Sequence, residues 1–325
     1  MENTFRMYRD PGALSIWFTL AESYCIVQSM LFIDRPDGKK LKQAHALNAV
    51  MPYMMRGRNQ SAVYYDKDID MESALRHVRA KNSSLGAKSE IPEQDRCSLF
   101  SLVLAALVRT IAIRPGLNRF IHGKALYQRN EIAFSFIVKQ KMTEAAPEGS
   151  AKVYFKPEDN LDTVTRKVNQ AIAYVHEVGE GGDGEGIAKL AHRIPGGKAL
   201  VIGLYRLLDR FNLAPASLLK VDPFYATLFF ANLGSIGLDT PFHHLYEWGN
   251  VSFFVVMGKL TQKDSHHGSS GAKHHSVNFK VTLDERISDG LYFARSASTF
   301  NRLLSSPALL DMPLEQAKSV LELGA

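Results

Sequence analysis

The chain has 325 residues, 46% hydrophobic and 22% charged, enough apolar material for one large or two ordinary domains, which excludes global disorder. Its net charge of +6 is a mild basic bias that suits an anionic ligand, and no long Lys/Arg run or nucleic-acid motif points to nucleic-acid binding. Cys25 and Cys97, in dissimilar contexts, form neither a disulfide framework nor a Cys/His metal spacing and fit a reducing, cytoplasmic compartment.

Residues 1–33 read as a helical N-terminal extension ahead of a single domain spanning 34–325. The extension lacks the basic region, clean apolar core and small-residue cleavage site of a secretory leader. Leu14 to Ile33 is mostly apolar, but Glu22, Ser23, Gln28 and Ser29 interrupt it. A packed or interfacial helix is expected there, because a membrane span needs about 20 nearly uninterrupted apolar residues.

Arg35-Pro36-Asp37-Gly38 is a turn signal. Leu47, Val50, Met51 and Met54 predict a short helix, Ser61–Asp70 a strand and Met71–Arg79 a helix. Ser98–Ile113 is a strongly apolar helix that ends before Pro115, and Ile132–Lys139 is a strand. Asn160 caps a helix with Val164, Val168, Ile172 and Val175 on one face. Gly179–Gly186 is glycine-rich, but its carboxylates would repel phosphate and no GK[ST] follows, so it reads as a surface loop. Ala199–Phe211 is a helix apolar around most of its circumference, broken by Arg206, Asp209 and Arg210. Too short to span a bilayer, it fits a helix covered by another subunit, with a wall for a long acyl chain or a membrane-surface contact as alternatives.

Leu228–Gly237 (LFFANLGSIG) precedes a strand over Val251–Leu260. His243 and His244 fall in a loop between them, where function can reside. The loop Thr261–His275 carries His266, His267, His274 and His275; its Gly and Ser residues give a hairpin tip without the fixed geometry of a metal site, so no metal is expected. Val277, Phe279, Val281 and Leu283 then alternate as a half-buried strand, and Phe293, Ala297, Phe300, Leu303 and Leu304 recur at helical spacing. Between them lies Asp284-Glu285-Arg286-Ile287-Ser288-Asp289-Gly290. One more residue of strand would point Glu285 inward, at a cost of several kcal/mol (roughly) unless the charge is paired.

That turn resembles the DHRxxDG signature of the acyltransferase subunits of 2-oxoacid dehydrogenase complexes, whose fold is shared with chloramphenicol acetyltransferase. Two further stretches support the resemblance: Ala231–Gly237 (ANLGSIG) is similar to the family's SNLGxxG, and Pro115-Gly116-Leu117-Asn118 to its Pro-x-Leu-Asn turn. The resemblance implies an α/β (α+β) fold, a two-layer sandwich with a mostly antiparallel sheet. It implies a homotrimer with active sites between adjacent subunits, and transfer of an acyl group from acyl-CoA or another thioester, with acyl-CoA as co-substrate and no resident cofactor. With no lipoyl-type domain before it, a free-standing acyltransferase is the closer analogy.

The family's histidine, the general base, falls on Glu285, and the serine that hydrogen-bonds the oxyanion falls on Ala231. Asp289 takes the place of an ion-paired structural aspartate. Asn232, Gly234 and Gly290 occupy the remaining motif positions around the substrate. Acyl transfer needs a base and an oxyanion donor. Two readings stay open: Glu285 reaches about as far as an imidazole and serves as the base, or it pairs with a nearby Arg or Lys. In the second case the chain is a catalytically inactive relative with a binding or scaffolding role, possible also at a membrane surface.

Overall fold

The computed structural model describes residues 35–42, 46–87, 91–139, 148–178, 197–264 and 273–323. The extension 1–33, the glycine-rich stretch 179–186, His266 and His267 lie outside the described residues. In chain order the elements are β1 (Gly38–Lys40), α1 (Ala46–Met54), β2 (Ala62–Asp70), α2 (Glu72–Ser84), α3 (Leu99–Ile113), β3 (Arg119–His122), β4 (Ala125–Arg129), β5 (Ile132–Lys139) and β6 (Glu148–Phe155). There follow α4 (Leu161–Val178), α5 (Gly197–Arg210), α6 (Ala216–Val221), β7 (Leu228–Asn232), β8 (Phe253–Asp264), β9 (Lys273–Asp284), α7 (Gly290–Ser305) and α8 (Leu314–Leu323).

A six-stranded sheet in the order β2-β9-β8-β7-β5-β6 carries the fold. Its outer pairs are antiparallel, and β7 lies parallel to both β5 and β8. The side-chain alternation decides which face meets the helices. Val277, Phe279 and Leu283 of β9, Phe253, Val255 and Met257 of β8, and Phe134 and Phe136 of β5 all enter one core beneath the helix layer. The central strands are apolar on both faces, because Ala133, Phe229, Phe254 and Val256 enter a second core on the opposite side.

Helix α3 is the centre of the helix layer and packs against α2, α4, α7 and α8. Its burial explains its nearly unbroken apolar sequence, and Ser98 and Ser101 form a reciprocal capping box at its start. Asn160 caps α4 as its sequence indicates, accepting from the Thr163 amide at 3.0 Å, and Val164, Val168 and Val175 are buried.

A three-stranded antiparallel sheet, β1-β4-β3, is added beside the main one. Alternation alone did not reveal it, since its strands are 3 to 5 residues long. The expected loop Thr261–His275 is also corrected. The hairpin strands run to Asp264 and restart at Lys273, so His274 and His275 stand on β9. His275 Nδ1 lies 2.7 Å from Glu72 Oε1. No group of three or more metal-ligating side chains converges among the described residues.

Candidate active site

The DERISDG turn is built on a buried ion pair. Strand β9 stops at Asp284, a 3-10 turn covers Glu285–Ile287, and α7 begins at Gly290. Asp284 and Arg286 are 1% and 2% exposed. The Arg286 side chain donates from Nε to Asp284 Oδ1 at 2.8 Å and from Nη2 to Oδ2 at 2.6 Å. Asp284 Oδ1 also accepts from Ser61 Oγ at 3.1 Å, and Arg286 Nη1 donates to the Met55 carbonyl at 2.9 Å. This cluster ties the turn to the chain leaving α1. Arg58 braces the same region, donating to the carbonyls of Tyr246, Trp248 and Gly249. Burial lowers the pKa of its guanidinium, and the nearby Asp284 charge opposes that shift.

Glu285 departs from simple strand parity because the backbone leaves strand geometry after Asp284. It is half-buried, not inward and enclosed. Among the described residues its carboxylate has no hydrogen-bond or ion-pair partner, whereas the acid and base on either side of it are spent on each other.

Asp289, expected to form a structural ion pair, has none among the described residues. It is exposed and caps α7, accepting from the Tyr292 amide at 2.8 Å. Gly290, the first residue of that helix, has open space where a Cβ would stand. The PGLN turn docks on the same helix: Gly116 N donates to Tyr292 Oη at 2.8 Å, and a Cβ on Gly116 would lie 2.7 Å from the Tyr292 ring. Asn118 anchors the turn's end, accepting from Thr227 Oγ1 at 2.7 Å and donating to the Glu131 carbonyl at 3.1 Å.

Ala231 and Asn232 close β7, and Leu233–Ile236 forms a 3-10 turn ended by Gly237 at φ +73°. Gly234 is there for close approach: a Cβ would come within 2.4 Å of the Gly258 carbonyl oxygen of β8. Gly234→Ala is therefore expected to cost about 1–3 kcal/mol through forced backbone movement. A thermal melt checks it, and an unchanged midpoint would mean that the turn yields freely.

Ala231 and Glu285 do not meet within one chain. Ala231 packs on the second core, on the face opposite the helix layer. It is level with Val256 and, one strand further, with Lys280. Glu285 lies five residues beyond Lys280, which puts the two roughly 15–20 Å apart at ordinary strand rise and spacing. His243 lies on Ala231's side of the sheet, stacked on Phe254 with ring centroids 3.8 Å apart, and burial lowers its pKa. The Lys152 amine, with its pKa lowered by burial to about 7, is occupied by the carbonyls of Leu219 at 2.6 Å and Asp222 at 2.9 Å. The Asp284–Arg286 pair was missed as the frame of the site; its only sequence signal is an acid and an arginine two residues apart within a turn.

No protein-family model and no curated protein matches the chain. Solved structures do. A probable dihydrolipoamide acetyltransferase from Listeria monocytogenes 4b F2365 is similar at a TM-score of 0.55 and 12% identity, over 82% of this chain and 95% of that one. The cubic core of the pyruvate dehydrogenase multienzyme complex is similar at 0.50 and 13%, over 84% and 95%. These likenesses establish the fold as the one the sequence resemblance implied, an acyltransferase-type two-layer sandwich with a mostly antiparallel sheet.

Proposed function

We propose that this chain binds an acyl thioester, with acyl-CoA as co-substrate, and transfers its acyl group to an acceptor, Glu285 serving as general base. The observation that carries this reading is the unpaired, half-buried Glu285 carboxylate beside a buried pair that leaves it free. The alternative structural role for Glu285 needs a cationic partner, and none is present among the described residues.

A homotrimer would complete the site, since Ala231 and Glu285 of one chain lie too far apart to act on one reacting carbonyl. Ala231 supplies no side-chain donor to the oxyanion, so turnover slower by about 10²–10³ is expected than with a donor in place. The free, buried Cys97 suits a cytoplasmic setting. Ala231 also favours a second reading, an inactive relative that only binds or scaffolds.

Thiol release from acyl-CoAs of varied chain length, with varied nucleophiles, separates the two readings, with light scattering on the same sample. The first reading expects release and a trimer mass. A trimer with no thiol release supports the second, and a monomer at micromolar concentration rejects the shared site.

A further inference from the structure

Helix α5 turns Asp209 and Tyr205, with Val201 and Leu208, toward the protein and a row of large apolar side chains toward solvent. Asp209 Oδ1 lies 2.8 Å from Nη1 of the buried Arg35, and Tyr205 stacks on Trp248 with ring centroids 5.3 Å apart. On its outer side Leu200, Leu204 and Leu207, followed by Phe211 just past its end, recur at helical spacing and are 73%, 55%, 53% and 45% exposed. A soluble surface helix has the reverse arrangement, and an exposed apolar stripe of this kind marks an interaction surface.

Further exposed apolar side chains lie at one end of the small sheet. Tyr53 and Met54 of α1 are exposed, and Lys124, in the β3–β4 turn, lies 4.6 Å from the Tyr53 ring centroid. His122 at the same turn is 3.8 Å from Asp209 Oδ2, so α1 and α5 flank a single hairpin end. The outward charge there is mainly positive, with Glu247, which accepts from the Asn59 amide at 3.2 Å, an exposed carboxylate at its edge. Segments 38–42, 46–58, 119–130 and 197–213 contain a single carboxylate, that of Asp209, which faces Arg35. Lys40, Lys42, Lys124, Lys198, Arg206 and Arg210 in the same segments are exposed.

We propose that α5, with α1 and the β3–β4 turn, docks on the surface of an anionic lipid bilayer. Leucines and Phe211 enter the boundary between headgroups and acyl chains, and the lysines and arginines meet the headgroup phosphates. The contact is peripheral, since no helix among the described residues is long and apolar enough to cross a membrane. A two-fold contact between copies is a poorer occupant, because it would bring these like charges together, and a heterologous contact within a trimer is the competing outcome that the test below separates from lipid.

The test is sedimentation of the full chain with phosphatidylcholine vesicles, with and without phosphatidylserine. Binding is expected on the phosphatidylserine vesicles only, with release at high salt. Leu204→Glu/Leu207→Glu should lower the bound fraction by about tenfold or more. Both positions are exposed, so the variant should fold, which circular dichroism checks. Three results overturn the proposal: no wild-type binding to phosphatidylserine vesicles, binding that the double variant leaves unchanged, or an α5-dependent oligomer without vesicle binding, which would assign the face to a second copy.

Discussion

Glu285→Gln should preserve the fold and assembly while lowering acyl transfer by roughly 10²–10⁴, the ordinary contribution of a positioned general base. The amide is nearly isosteric with the carboxylate, and Glu285 is half-buried without a partner among the described residues, so the substitution breaks no contact. Loss of activity would therefore report on the missing proton acceptor. The measurement is thiol release by wild type and variant side by side, with light scattering and circular dichroism as controls. Measurable wild-type turnover that is unchanged in Glu285→Gln would end the general-base proposal. Glu285→His provides a second arm: it would restore an imidazole at this position while Ala231 still leaves the oxyanion without a side-chain donor.

Arg286→Met should destabilise the protein by about 3–5 kcal/mol, because it strands a buried carboxylate. Asp284 is 1% exposed and both its oxygens accept from the Arg286 side chain, so removing that side chain takes away its hydrogen-bonded counterion and leaves the charge with Ser61 and the nearby Arg58 guanidinium. The variant also loses the bond from Nη1 to the Met55 carbonyl, which holds the chain leaving α1 against the turn. Asp284→Leu/Arg286→Met should recover much of the loss, since replacing a whole buried pair with apolar groups is often near neutral. Denaturant midpoints of the two single variants and the double variant form the cycle that checks this. A wild-type midpoint for Arg286→Met would show that the pair is not what frames the turn. If the double variant folds but loses activity, the pair positions Glu285 as well as stabilising the turn.

The sequence by itself determined the elements whose burial is one-sided or complete. The alternation through Val277, Phe279 and Leu283 specified both β9 and the face it turns to the helices, because a period of two allows only one register against a core. The apolar run ending at Ile113 and the Asn160 cap specified α3 and α4 for equally local reasons. Three motif turns were legible through their resemblance to the acyltransferase motifs, but of their contacts only the Asp289 cap on the Tyr292 amide is local; Gly116 meets Tyr292 176 residues away and Gly234 meets Gly258 on another strand.

Only the tertiary structure decided what depends on residues distant in the chain. Parity placed Glu285 inward, but the backbone turns away after Asp284 because that side chain is drawn to Arg286 and to Ser61, 223 residues earlier. The small sheet was hidden because strands of 3 to 5 residues carry almost no periodic signal until β4 pairs with both its neighbours. The composition of α5 showed an apolar helix, but not which side is outward. Arg35 decides that by capturing Asp209 across 174 residues, and a buried guanidinium's demand for a carboxylate leaves the leucines facing out.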